Sequence, residues 1–312
     1  MISVVIPVYN GENSIRRSVE SVLAQPVDVE VVVVDDASDD GTPAILASLD
    51  AADDRITVVT HEENKQLFDS RRDGVAAASG DYVAFLDADD EFVEGALAVL
   101  VSNLEEQGDV DILHFNCEPV FGPDADESAK EFTRRFLRPA EGSLAGADVA
   151  HAIFRDALAP WAAWGKLVSR PVIERAYRLM RPQYLYQAED AALMFAIAVC
   201  ATSYRGLPEV HGLRYFTDSG ESYKFENICQ SGRVVPIARD VLNIMGAWRE
   251  HRDDYEALVS RLSRDTAYHL VRSVPRVERA DAKRLALRYW DRDVLERAIR
   301  VESREKLRER MR

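Results

Sequence analysis

Up to Asp90 the chain alternates short, unbroken apolar runs with polar stretches of helical period. Ile2 to Pro7 is the first run. A Tyr9-Asn10-Gly11 turn follows, then a stretch that puts Ile15, Val19, Val22 and Leu23 on one helical face, with Asn13 or Ser14 at the capping position. Val29 to Val34 is the second run and ends in acid, Asp35-Asp36-Ala37-Ser38-Asp39-Asp40-Gly41-Thr42. The pattern then predicts a helix from about Pro43 to Leu49, a strand at Ile56 to Val59, a helix from about Leu67 to Ala78 and a strand from Tyr82 to Leu86. Continuously apolar strands alternating with helices imply a parallel sheet buried on both faces. Such sheets bind ligands beyond the carboxyl ends of their strands, so the loops at Tyr9, Asp36 and Asp89 should converge on one crevice.

The later chain is less regular. A helix is expected at about Glu94 to Glu106 and a strand at Asp111 to Cys117. Glu118 to Gly146 loses periodicity and is rich in Pro, Gly, Asp and Glu, which reads as a loop or mobile insertion. Order returns from Ala147 to Leu158, and a helix follows near Pro171 to Tyr177. Glu189-Asp190 then opens an apolar helix through Leu193, Phe195, Ile197 and Val199, where the helix dipole favours their charge. Val210 to Phe216 alternates like an edge strand. From about Asn227 the pattern is helical, with Val234, Ala238, Val241, Leu242, Met245 and Trp248 on one face and further amphipathic segments at Leu258 to Leu270 and Leu285 to Trp290. These shifts divide the chain into 1–117, 118–225 and a helical extension, 226–312.

Charge and composition narrow the function. A net charge of -15 and a pI near 4.9 argue against a nucleic-acid partner, whose phosphates demand a basic surface. Cys117, Cys200 and Cys229 are odd in number, far apart and without CxxC spacing, so free thiols in a reducing compartment are expected. The start, MISVVIPVYN, lacks a basic region and reads as a strand rather than a signal peptide, and no run reaches the length of a membrane span. A cytoplasmic protein is expected, at most peripheral on the inner face of the membrane. From Arg276 to Arg312 there are 13 Lys and Arg against 8 Asp and Glu, opposite in sign to the whole. A solvated helix laced with i, i+4 pairs accounts for this; a membrane-surface contact or a homodimer contact through these helices is the alternative.

The candidate chemistry sits in Gly80 to Asp90, GDYVAFLDADD. Asp87, Asp89 and Asp90 crowd like charges at the end of a predicted buried strand, and a cation, basic groups or water must offset their repulsion. Mg2+ or Mn2+ does so while keeping open positions for the oxygens of a diphosphate. A solvated acidic turn is the bland reading.

Together with Val5-Ile6-Pro7-Val8-Tyr9-Asn10, Val33 to Thr42, Ser70-Arg71-Arg72-Asp73-Gly74, Trp164-Gly165-Lys166-Leu167 and Glu189-Asp190, this stretch resembles the family-2 inverting glycosyltransferases of the GT-A fold. The resemblance extends to about Ser222. It implies an α/β fold, a Rossmann-like and mostly parallel central sheet with flanking helices, carrying the C-terminal helical extension. It also implies a nucleotide-diphosphate sugar donor, with the preference among bases resting on one carboxylate: Asp36 would accept the imide N-H of a base such as uracil, favouring a UDP-sugar. Pro7 and Tyr9 belong to the same donor motif, with Tyr9 stacking on the base or packing in the core; Asp36 would equally cap the following helix. Arg71 would offset the diphosphate or pair with Asp89 or Asp90. Arg72 departs from the Asn common at its place.

By the same resemblance Asp89 is the main metal ligand, with Asp87 nearer the sugar and Asp90 supporting; His211 lies where some relatives add a ligand, and a lone histidine also serves structure. The metal, Mn2+ or Mg2+, would stabilise charge on the leaving diphosphate. Asp190 matches the catalytic base that takes the proton of an acceptor hydroxyl, with Glu189 as the neighbouring candidate. Lys166 would contact phosphate or acceptor, Trp161 and Trp164 would form a sugar-stacking wall or fill the core, and Arg214, Tyr215 and Ser222 resemble a segment that closes over the donor. The acceptor would be a growing glycan or its lipid-linked precursor. Gly11-Glu12-Asn13 lacks the glycine-rich basic loop of a nucleotidyltransferase, and no GxGxxG follows the first strand. A binding protein that has kept the fold without the chemistry is the remaining rival.

Overall fold

In the computed structural model the alternation becomes one nine-stranded sheet with helices against it. The structure describes residues 1–123, 125–180, 189–217, 251 and 253–254. Four strands, β1 (Ile2–Val8), β2 (Val29–Asp35), β3 (Ile56–Thr60) and β4 (Tyr82–Phe85), lie parallel in the order β3-β2-β1-β4. Between them run α1 (Ile15–Leu23), α2 (Thr42–Asp50) and α3 (Gln66–Ala77). The valine runs are continuous because both faces of these strands are covered. Val5, Val32, Val83 and Phe85 enter one core, while Val4, Ile6, Val31, Val33 and Ala84 enter the other. Strand order reverses at β1, so a crevice opens beyond the carboxyl ends of β1 and β4.

Next come β5 (Glu91–Phe92), α4 (Ala96–Gln107), β6 (Ile112–Val120), α5 (Glu127–Leu137), β7 (Gly142–Ala145) and α6 (Asp148–Ala150), which runs on into a π-helical turn, His151–Arg155. The described order closes with β8 (Lys166–Ser169), α7 (Arg170–Leu179), α8 (Glu189–Cys200) and β9 (Ser203–Phe216). β8 lies antiparallel between β4 and β6, and β9 lies parallel to β6. β7 and β5 pair antiparallel with the two ends of β9. The strands β1, β2, β3, β4, β6 and β9 thus share one direction, giving the mostly parallel sheet expected from the sequence.

Three readings of the later chain change. Glu118 to Gly146 is not a structureless insertion: it holds the end of β6, then α5 and β7. β7 is only Gly-Ser-Leu-Ala, too short to show a period, and exists because Ala145 to Gly142 pair with Ser203 to Gly206. Val210 to Phe216 is the second half of the 14-residue β9 and is interior to the sheet rather than its edge. It alternates because one of its faces meets solvent, while the two-residue β5 continues the sheet beyond it. β8, hidden in the Trp164 to Leu167 motif, is the strand that joins the two halves. The helices expected after Asn227 lie outside the described residues, apart from His251, Asp253 and Asp254. Among the described residues no helix is long and apolar enough to cross a membrane.

Helix α3 seats a key arginine, and its distance from the sheet depends on Gly74. A Cβ there would lie 2.4 Å from Val5 Cγ1 and 3.1 Å from Val34 Cγ2. Alanine in a helix interior ordinarily gains about 0.5–1 kcal/mol over glycine, but overpacking a core costs about 1–3 kcal/mol. Gly74→Ala is therefore expected to lower stability, read as a lower denaturant midpoint. A raised midpoint would show that α3 can stand off the strands.

Candidate active site

Two loops at the crevice are fastened to each other. The Asn10 amide donates to Ser38 Oγ at 2.9 Å, its side-chain amide donates to Asp39 Oδ1 at 2.7 Å, and the Asp39 amide returns a bond to Asn10 Oδ1 at 2.9 Å. Gly11 N donates to Thr42 Oγ1 and Gly41 N to Glu12 Oε2, both at 2.8 Å. Asn10 and Ala37 both take positive φ, at 55° and 62°, to make these turns. Tyr9 leaves this braced edge with 48% of its surface exposed, free to meet a flat ring. Pro7 is buried in β1 opposite Val34, past the last residue that pairs with β4, so its missing N-H breaks no ladder there.

Asp36 is buried behind Tyr9's loop. Its Oδ1 accepts from Lys65 N and pairs with His61 Nδ1, both at 2.7 Å, and its Oδ2 accepts from Gln66 N at 2.8 Å. It caps the start of α3 rather than α2, whose Thr42 amide is capped by Asp40 at 2.9 Å. A carboxylate oxygen can accept a second bond, so Oδ2 retains room for one donor. His61 is a residue that sequence reading missed. It is buried at the end of β3, with Nε2 3.1 Å from Asp73 Oδ2, and it holds Asp36 in place. Its only signal was a histidine directly after a predicted strand.

The acidic turn after β4 is clamped by α1. Ser18 Oγ bonds the carbonyls of Ala88 and Asp90 at 2.8 and 2.7 Å, and Arg17 Nη2 donates to the Asp89 carbonyl at 2.7 Å. Sequence reading missed both. Asp90 is turned inward, accepting from Phe216 N at 2.9 Å, and burial followed by the charge of Asp87 raises its pKa to about 9. At neutral pH it is a protonated tie between this turn and β9. The Asp89 carboxylate, by contrast, has no protein partner among the described residues. Asp87 gives one oxygen to Arg71 at 3.0 Å and, through burial above all, has its pKa raised to about 6.

Arg71 is the hub of the site. It is 1% exposed, and beyond Asp87 it meets Glu189 at 3.5 Å and forms a close pair with Asp190. Burial opposes its charge, yet Asp190, Asp87 and Glu189 together raise its pKa. The partners are therefore Asp87 and the α8 acids, where Asp89 or Asp90 was expected. One guanidinium thus forms the floor between the turn after β4 and the first turn of α8. Burial, and then the charge of Asp190, raises the pKa of Glu189.

The remaining residues occupy the rim or the frame. Tyr215 stacks on the buried Trp164, with ring centroids 5.0 Å apart. Burial, Asp90, Asp87, Asp89 and Asp190 all raise the Tyr215 pKa, which puts this ring beside the acids. Trp161 packs edge-on to Phe136 at 6.0 Å. Lys166 is 1% exposed and donates to the carbonyls of Ala162 and Trp164 at 2.7 and 3.3 Å; burial lowers its pKa to about 7. Its amine braces the Trp-containing loop and lies within the field of Asp190. Arg214 faces Glu91 and Glu118 at 3.4 and 3.9 Å. His211 is exposed on β9 five residues before Phe216, which at strand rise is about 16 Å from the tie to Asp90. Ser222 lies outside the described residues.

Hard carboxylate oxygens at Asp89 and Asp87, one of them unpartnered, fit a Mg2+ or Mn2+ ion. The family model for Glycosyl transferase family 2 matches residues 3–159, half of the chain. The chain belongs to this family. Among curated relatives, it is 35% identical over 107 residues to the GalNAc(5)-diNAcBac-PP-undecaprenol beta-1,3-glucosyltransferase of Campylobacter jejuni, covering 34% of this chain and 35% of that protein. It is 42% identical over 98 residues to the putative teichuronic acid biosynthesis glycosyltransferase TuaG of Bacillus subtilis, covering 31% of this chain and 39% of the relative. The matches thus span little more than a third of either relative. Among solved structures, Staphylococcus aureus TarS 1-349 in complex with UDP-GlcNAc superposes with a TM-score of 0.59 at 17% identity, covering 95% of this chain and 90% of that one. Mannosyltransferase PcManGT from Pyrobaculum calidifontis, in complex with GDP-Man and Mn2+, superposes with a TM-score of 0.57 at 18% identity, covering 98% and 79%. These two likenesses establish the GT-A-like fold.

Proposed function

We propose that this family member transfers a sugar from a nucleoside diphosphate, a UDP-sugar by preference, to an acceptor hydroxyl with inversion, in the synthesis of a glycan or its lipid-linked precursor. The observation that carries it is the Arg71 hub, which joins the acids after β4 to the Glu189-Asp190 pair beside the crevice that Tyr9 and Asp36 line. Tyr9 stacks on the base and the free lone pair of Asp36 Oδ2 accepts its imide N-H. A divalent cation on Asp89 and Asp87 supplies Lewis-acid stabilisation of the leaving diphosphate when bound. Arg71 holds Asp190 on the side of the sugar opposite the diphosphate, and Tyr215 and Trp164 wall that side from water. Glu189 retains a proton into the neutral range, which leaves Asp190 to take the acceptor's proton as the new bond forms. The names of the relatives, a glucosyltransferase acting on an undecaprenol-linked glycan among them, support the substrate class.

Calorimetric titration of UDP, GDP and ADP in Mn2+ and then in EDTA tests this. UDP should bind tightest, with metal dependence. Asp89→Ala should abolish that dependence, lowering affinity at least about 10-fold, the loss of one charge-assisted contact. Equal metal-dependent affinity in the variant removes Asp89 from the ligand set. Preference for GDP, the nucleotide bound as GDP-Man in PcManGT, would overturn the uracil assignment alone.

A further inference from the structure

A second cluster of chemistry-bearing groups lies where α6 gives way to its π-helical turn. Asp254 is wholly buried, and its Oδ2 lies 3.1 Å from His151 Nε2 and 3.1 Å from His251 Nδ1. One donor atom from each residue falls within 4.8 Å of the others. Asp254 Oδ1 is buried and has no hydrogen-bond partner among the described residues. The Arg155 guanidinium, one turn on, spends its hydrogen bonds on Asp156 at 2.9 and 3.0 Å and meets Asp254 only through its field. A carboxylate removed from water with one oxygen unpaired is costly unless a cation is supplied.

We propose that His151, His251 and Asp254 form a binding site for a transition-metal ion of the Zn2+ type, separate from the acids of the crevice. Donor atoms placed about 2.0–2.1 Å from a tetrahedral Zn2+ stand about 3.3 Å apart, close to the two 3.1 Å separations found. Two imidazoles and one carboxylate select Zn2+ over Mg2+, which takes oxygen ligands and octahedral geometry. The second nitrogen of His151 completes the argument. Its Nδ1 lies 3.7 Å from Asp148 Oδ1, beyond hydrogen-bond length but close enough for that carboxylate's charge to favour a proton on Nδ1 and leave Nε2 for the ion. His151 is also the first residue of the π-helical turn, and such turns recur at functional sites. The fourth position is left for water. Bound metal would pin His251 and Asp254, a hundred positions further along the chain, onto the helix that packs on α8 through Phe154 and Phe195.

The experiment is a competition titration of Zn2+ against a chromophoric chelator, using the full chain freed of metal. One equivalent should bind with a Kd of about 1 µM or tighter, as three protein ligands with a deprotonated carboxylate support, and it should persist in Asp89→Ala. His151→Ala and His251→Ala should each weaken it at least about 100-fold. Zn2+ should raise the melting temperature of the unmodified chain and not that of His251→Ala. Because a ligand variant can misfold, Co2+ is added to the unmodified chain as well, where intense visible bands of a four-coordinate ion are expected. Absence of those bands, absence of micromolar Zn2+ binding, or affinity unchanged by the two histidine variants overturns the site and leaves a hydrogen-bonded His-Asp-His cluster. None of these readouts depends on glycosyl transfer.

Discussion

Asp190→Asn is expected to leave nucleoside diphosphate affinity within a few-fold of the parent while lowering sugar transfer by about 10²–10⁴, the usual worth of a positioned general base. The asymmetry follows from where Asp190 sits. Its carboxylate opens α8 and is bound to Arg71, whereas the edge proposed to hold the nucleotide base is built from β1, β2 and the start of α3. An amide keeps the shape and one hydrogen bond to the guanidinium but cannot take a proton. Glu189→Gln is the control, and because Glu189 meets Arg71 only at 3.5 Å and holds a proton into the neutral range, its effect should be several-fold smaller. Transfer is read in single-turnover assays with the donor saturating, and affinity by calorimetry. If Glu189→Gln is the more damaging change, the base is Glu189 and Arg71 serves chiefly to hold its neighbour.

The first half of the fold was legible because a parallel sheet writes itself into sequence as unbroken apolar runs. β1, β2 and β4 needed no partner to be recognised, and their order put Tyr9, Asp36 and Asp87 at one edge. The second half was not, since β7 and β8 are four residues each and owe their conformation to β9, β4 and β6. The same division holds in the site. Residues with chemical side chains in motifs were visible, but the partner of each was a long-range matter. Arg71 could not be joined to Asp190, 119 positions away, from spacing. Nor could Lys166 be seen to spend its amine on the carbonyls of its own loop, or His61 to brace Asp36 from the end of another strand. Resemblance located Arg71, Lys166, Asp36 and Asp190 without saying which way their side chains turn, and it did not locate His61.

That orientation is what makes the second large effect. Arg71→Met is expected to destabilise the protein by about 3–5 kcal/mol, the cost of leaving buried charges without their partner. At about 2–4 °C per kcal/mol this lowers the melting temperature by roughly 10 °C. Methionine fills the stem's volume, so the loss reports charge rather than a cavity. Lysine does not rescue it, because an ammonium is a point charge and cannot bridge Asp87 and the α8 acids as a planar fork does. The deficit should also depend on pH in a definite direction. Asp87, raised to about 6, binds a proton in the folded state at pH values where the unfolded chain, near 3.9, has released it. Stability from such a group is complete below about pH 4 and is lost as pH rises through about 6, because the folded state then binds more protons than the unfolded. Without the guanidinium this carboxyl and that of Glu189 titrate higher still, so Arg71→Met should approach the parent's stability at pH 5 and fall furthest behind at pH 8. Chemical denaturation at the two pH values measures it. An equal deficit at both would mean that Arg71 contributes packing and hydrogen bonds, not neutralisation, and the link between Asp87 and Asp190 would then be steric.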